Sequence, residues 1–164
     1  MALFNHCSFT ANDDYFTPKH AWEDIKQYIP DKIIWEAFYG DGKSGQYLTE
    51  LGYNVIHKEI DFFKNDLGDI VVSNPPFSKI PQILARLIEI NKPFILLMPS
   101  SKINTQYFRK LFNGDNDLQI IIPKKRISFI KHTTNDTNKK SNSNFDCFYY
   151  CWKIELANQI TWLD

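Results

Sequence analysis

Two rhythms of apolar positions alternate along the chain. Short unbroken apolar runs read as buried strands, and the stretches between them carry apolar residues at three- and four-residue spacing, the mark of amphipathic helices. Thr17-Pro18 followed by Ala21, Trp22, Ile25, Tyr28 and Ile29 predicts a helix with Thr17 as its N-cap and Pro18 in its first turn, ending near Pro30. Lys32 to Phe38 predicts a strand, Gly40-Asp41-Gly42 a tight turn, Ser44 to Leu51 a helix closed by Gly52, and Tyr53 to Ile60 a second strand. Asp69 to Ser73 is a third strand. Ser78 then caps a helix with Ile80, Ile83, Leu84, Leu87 and Ile88 on one face. A strand at Pro93 to Met98, a helix at Asn104 to Asn113 stopped by Gly114, and a strand at Leu118 to Ile122 continue the pattern. Arg126 to Ile130 and Phe145 to Ile154 are two further strands with no helix between them. The expected fold is α/β and Rossmann-like, a mostly parallel seven-stranded sheet with a C-terminal antiparallel hairpin.

The 164 residues, 43% of them hydrophobic, suit a single domain over 1–164 with no separate recognition domain. Lysine and arginine number 19, as do aspartate and glutamate, so total charge does not point to a nucleic-acid partner. Local charge is uneven: 124–144 holds Lys124, Lys125, Arg126, Lys131, Lys139 and Lys140 against the single acid Asp136, a set that either pairs with phosphates or forms a solvated loop. The polar run from Lys131 to Asn144 buries too little to repay its ordering entropy and is expected to be a mobile loop. The longest apolar run, Cys147 to Trp152, is far short of the roughly 20 residues that span a bilayer. With no signal-peptide pattern at the start, the expectation is an intracellular protein without a membrane. On one strand Cys147 and Cys151 stand about 13 Å apart, too far for a disulfide, so buried thiols in a reducing compartment are expected. His6, His20, His57 and His132 are scattered, and neither they nor the cysteines have metal-ligand spacing, so no metal is expected.

In an open parallel sheet, ligands bind outside the carboxyl ends of the strands. Three unusual segments fall at such ends: Glu36-Ala37-Phe38-Tyr39-Gly40-Asp41-Gly42, then Glu59-Ile60-Asp61, then Asn74-Pro75-Pro76-Phe77. Gly40 and Gly42 allow the backbone to turn tightly against a ligand. Glu59, 19 residues after Gly40, can accept hydrogen bonds from both hydroxyls of a ribose, and together they suit an adenosine-containing cofactor. Ala37 to Ser44 is one residue from the phosphate-loop pattern of nucleotide hydrolases, but neither following strand ends in the aspartate that would hold magnesium. Asn74-Pro75-Pro76-Phe77 can continue neither a strand nor a helix. Held rigid, it offers the Asn74 amide oxygen and the Pro75 carbonyl as paired acceptors beside the Phe77 ring, a site for the exocyclic amine of a flat base. Lys124, Lys125, Arg126 and Lys131 can pair with phosphates, and Phe129 either stacks on the extruded base or belongs to the core.

These motifs resemble those of the S-adenosylmethionine-dependent DNA adenine-N6 methyltransferases, in particular compact forms from phages and mobile elements. The resemblance covers most of the chain and implies a class I methyltransferase fold with S-adenosylmethionine as cofactor and DNA as partner. Asn74-Pro75-Pro76-Phe77 matches the catalytic motif and implies that Asn74, Pro75 and Phe77 bind the target adenine, with Pro76 stiffening the turn. The segment from Glu36 through Phe38 to Gly42 is similar to the cofactor loop, with Ala37 where that family often has proline. Tyr15-Phe16-Thr17-Pro18 resembles the N-terminal motif, implying that Phe16 and Thr17 touch the methionine end. Glu59 matches the ribose-binding acid, and Asp61-Phe62 would serve the cofactor adenine. No insertion is large enough for a recognition domain, so a partner subunit could supply sequence recognition. Alternatives are methyl transfer to RNA or to a glutamine side chain, and an inactive methyltransferase-like subunit that binds nucleic acid.

Overall fold

A computed structural model describes residues 15–131 and 145–164. Its main sheet has seven strands: β2 (Ile34–Trp35), β3 (Val55–Ile56), β4 (Ile70–Ser73), β5 (Phe94–Pro99), β6 (Leu118–Ile122), β8 (Cys147–Trp152) and β9 (Ile160–Trp162). Their spatial order is β3-β2-β4-β5-β8-β6-β9. All run the same way except β8, which is antiparallel to both β5 and β6. This is the expected Rossmann-like, mostly parallel sheet of seven strands closed by an antiparallel pair.

The pair is made differently from the expected hairpin. β8 inserts between β5 and β6, with Ile95 facing Cys151 and Ile120 facing Tyr150. Apolar residues on both faces of β8 explain why it takes an interior position: Tyr149, Tyr150 and Cys151 are fully buried. Arg126 to Phe129 form no strand. Instead, β7 (Ile130–Lys131) pairs antiparallel with β1 (Tyr15–Phe16) in a separate two-stranded sheet, Tyr15 opposite Lys131 and Phe16 opposite Ile130. The seventh strand of the main sheet is β9, a three-residue edge strand parallel to β6 that the hydrophobic pattern did not mark.

Alternation along the strands sends side chains into two cores. Ile34, Ile70, Val72, Ile95, Leu97 and Tyr149 pack with α1 (Lys19–Glu23) and α2 (Lys43–Glu50) on one face. Trp35, Val71, Phe94, Leu96 and Tyr150 pack with α3 (Ile80–Glu89) and α4 (Gln106–Phe112) on the other. On α3 the buried residues are Ile80, Ile83, Leu84 and Leu87, the stripe that helical spacing predicts, with proline in the first turn. The result is three layers, helix on sheet on helix. Helix α1 stops at Glu23, and its last turns are replaced by a 3-10 turn at Lys26–Tyr28.

Among the described residues no helix is long and apolar enough to cross a membrane. Cys147 and Cys151 are free and buried, and burial pushes the Cys147 thiol up to about 12. Cys7, His6 and His132, and the run 132–144 expected to be mobile, lie outside the described residues.

Candidate active site

Strands β2, β4 and β5 end at one rim, and the segments leaving β2 and β4 face each other across a cavity. Tyr15, Phe16 and Thr17 cover it from the side of the small sheet. Glu36, Phe38, Tyr39, Gly40, Asp41 and Ser44 form the wall after β2, and Asn74, Pro75, Pro76 and Phe77 the wall after β4. The β1–β7 pairing is what carries the residues preceding α1 over this rim.

Asn74 is oriented by its neighbours. Its Nδ2 donates to the Tyr15 carbonyl at 3.3 Å, and since a carbonyl only accepts, the amide must turn Nδ2 that way. Oδ1 is thereby directed elsewhere, and it is buried without a hydrogen-bond partner. The two prolines are buried, and a 3-10 turn at Phe77–Lys79 joins them to α3. Phe77 meets Phe145 edge to face, with ring centroids 5.4 Å apart.

Glu36 is the second unusual group. Only 1% of it is exposed, Ser73 donates its hydroxyl to Oε1, and Oε2 has no partner. Burial pushes its carboxyl up to about 8, against the opposing pull of the Ser73 hydroxyl and the Phe38 backbone N–H. Thr17 is the third. The expectation that it caps α1 does not hold, since Pro18 occupies the N-cap position and no side chain caps the helix. The Thr17 hydroxyl is buried and unpartnered at the cavity wall. Buried polar atoms are almost always paired, because an orphan forfeits its hydration. Three orphans from three separate segments around one cavity mark a place built to bind polar groups.

Gly40 and Gly42 both take positive φ, +58° and +78°. Gly42 is the N-cap of α2, and a Cβ there would lie 2.9 Å from the Tyr39 ring. Asp41 accepts the Lys43 backbone N–H at 3.0 Å and pairs with its ammonium at 3.7 Å, so Lys43 serves the turn itself rather than a phosphate. Trp22 of α1 donates to the Ser44 hydroxyl at 3.2 Å, tying the glycine turn to the first helix.

The structure therefore brings together Phe16, Thr17, Glu36, Phe38, Gly40, Asn74, Pro75, Pro76 and Phe77, with Gly42 behind them as the start of α2. Other expected residues lie elsewhere. Pro18 faces a different groove, the one that Lys124, Lys125 and Arg126 also line. Arg126 makes a two-pronged pair with Asp146, at 2.8 and 3.0 Å. Glu59 is exposed, three residues beyond the end of β3. Asp61 accepts the Phe63 N–H and caps the 3-10 turn Phe62–Lys64. Phe62 is 1% exposed and packs against Trp35 and Phe38. Phe129 is fully buried beside Tyr15 and Phe145, which is the core position rather than the stacking one. Of Lys131 only the backbone pairing in β7 is described.

Sequence reasoning missed Tyr15, Ser73 and Phe145 as parts of the site. Ser73 had a signal, a lone hydroxyl in the otherwise apolar strand Ile70-Val71-Val72-Ser73. The Tyr15 carbonyl and the placement of Phe145 had none, because both act through contacts remote in sequence.

No family model matches the chain. The type II methyltransferase M.EcoRI of Escherichia coli is 29% identical over 106 residues, which cover 65% of this chain. The matched part spans 28% of that relative's length. Among solved structures, TehB from Haemophilus influenzae superposes with a TM-score of 0.48 at 12% identity, over 82% of this chain and 62% of that one.

Proposed function

We propose that this protein is an S-adenosylmethionine-dependent methyltransferase that acts on the exocyclic N6 amine of adenine in DNA. One observation carries the reading: Thr17 Oγ1, Glu36 Oε2 and Asn74 Oδ1, each buried and unpartnered, border a single cavity at the carboxyl rim. The likeness to a type II methyltransferase supports it.

The residues present fit the cofactor. Glu36 and Thr17 supply a carboxylate and a hydroxyl suited to an ammonium and a carboxylate group of an amino acid, and Phe16 and Phe38 supply apolar walls. Gly40 and Gly42 hold the turn between them, while Glu59 and Asp61, beyond β3, are assigned to the adenosine half, with the buried Phe62 only backing the Phe38 wall. When bound, S-adenosylmethionine supplies an electrophilic methyl group on a sulfonium sulfur.

The chain's own part in the reaction is electrostatic and positional. Asn74 Oδ1, fixed by the bond from Nδ2 to Tyr15, accepts one N–H of the amine. The Pro75 carbonyl accepts the other. With both protons held, the nitrogen lone pair is drawn out of conjugation with the ring and toward the methyl group. Phe77 lies against the face of the base and keeps water from the reacting nitrogen. The basic side chains Lys124, Lys125 and Lys131 are assigned to backbone phosphates.

Incubation of the full chain with tritiated S-adenosylmethionine and DNA tests the reading. Label recovered as N6-methyladenine is the expected result. Cofactor binding without label in any DNA adenine overturns it.

A further inference from the structure

A second depression, of about 410 Å³, adjoins the cavity and shares its Tyr15 and Phe77 walls. It lies just outside the neighbouring strand, where β5 ends at Pro99 and a 3-10 turn runs from Ser100 to Asn104. Phe145 forms its other aromatic side, edge to face with both Phe77 and Tyr15 at 5.4 Å. Two bonds hold this corner: Tyr150 donates its hydroxyl to the Pro99 carbonyl at 2.8 Å, and the Ser100 N–H donates to the Asp146 carbonyl at 2.8 Å. The second bond sets Phe145 beside Ser101 and Lys102. Ser78 and Ser101 line the same depression, and among the described residues Lys102 is its one charged residue.

Lys102 is half-buried, and no carboxylate among the described residues pairs with its ammonium. Every other charged side chain on the cavity wall has such a partner or a hydrogen bond: Asp41 has Lys43, and Glu36 has Ser73. A flat aromatic corner, two hydroxyls and a lysine ammonium describe the chemistry of a nucleotide, a ring with an anion attached. A glutamine side chain would satisfy none of the charge.

Resting on the reading that the acceptor is a base held at Asn74, we propose that Lys102, with Ser101, binds the phosphate of the acceptor nucleotide itself. The site thus selects a phosphorylated nucleotide unit over a bare nucleoside or a peptide. A single charge-assisted contact in a partly desolvated corner corresponds to about tenfold or more in affinity.

Calorimetric titration of the full chain with 2′-deoxyadenosine and with its 5′- and 3′-monophosphates tests this without turnover. At least one monophosphate should bind about tenfold or more tightly than the nucleoside. Lys102→Gln should erase that preference while leaving nucleoside affinity within about twofold, and Lys102→Arg should keep it. Equal affinity for nucleoside and both nucleotides, or a preference that survives Lys102→Gln, overturns the proposal, as does failure of all three to bind. The base assignment is scored separately: if the nucleoside binds equally well to wild type and Asn74→Ala, the adenine reading fails whatever Lys102 does.

Discussion

Glu36 keeps its carboxyl in a place where burial makes ionisation costly and the Asp41 charge adds to that cost, against the pull of the Ser73 hydroxyl and the Phe38 N–H. Its folded-state value, about 8, lies above the ordinary 4.5, so the folded protein holds a proton that the unfolded chain releases. Its contribution to stability is complete below about pH 4.5, declines across the interval to 8, and is gone above it. Denaturant titrations at pH 5 and pH 8 should show that decline in wild type and a smaller one in Glu36→Gln; an unchanged difference would refute it. Ligand binding shifts the same group. A cationic ligand at Oε2 favours the carboxylate, so proton release near pH 7 should accompany S-adenosylmethionine binding and vanish in Glu36→Gln, read from calorimetry in buffers of different ionisation enthalpy. Asn74 acts at the same scale. On the proposed mechanism Asn74→Ala removes an acceptor of the transition state, and turnover should fall on the order of 100-fold or more with cofactor affinity little changed. Equal loss of both would mean that Asn74 serves the cofactor.

At the scale of elements, the turn between β2 and α2 depends on Gly42. An added Cβ would meet the Tyr39 ring at 2.9 Å, on a backbone at φ +78° that L-residues avoid. Gly42→Ala should cost about 1–2 kcal/mol from the left-handed backbone alone, with the displaced Tyr39 also weakening cofactor binding. Chemical denaturation measures the first effect and calorimetry the second. Strands β2 to β6 and β8 were all legible in the sequence, most clearly β4, β5 and β8, where burial on both faces leaves a nearly uninterrupted apolar signal. β9 had no such run, and its Ile160 and Trp162 remain 51% and 70% exposed. Arg126 to Ile130 looked like the partner of β8 because it precedes it, yet β8 buries more by entering between β5 and β6. Thr17-Pro18 has the local pattern of a helix cap, but that pattern does not distinguish a cap from a residue one position earlier facing a cavity, which is where Thr17 stands.

For the whole molecule, α1 is five residues long, too short to persist alone, and it is held by distant contacts. Tyr149 in the middle of the sheet donates its hydroxyl to the Ala21 carbonyl at 2.6 Å, and Trp22 reaches Ser44. Tyr149→Phe strands a buried carbonyl and should cost about 1–3 kcal/mol, seen as a lower Tm, with looser positioning of Thr17 and weaker cofactor binding. A Tm unchanged from wild type would show that packing alone holds α1.

By itself the sequence determined the alternation of strands and helices, the rim at which Glu36, Gly40 and Asn74 gather, and the rigidity of Asn74-Pro75-Pro76-Phe77. Periodicity, glycine and proline act within a few residues, so each is readable locally. Tertiary structure alone decided which oxygens are left orphaned, through the bond from Asn74 to a carbonyl 59 residues away and the hydroxyl of Ser73 on Glu36. It also decided that Phe129 is core, that Phe145 stands beside Phe77, and that Lys102 lines the same depression as Tyr15, Phe77 and Phe145. Such facts depend on which distant segments pair and in what register, and no local pattern of residues encodes that choice.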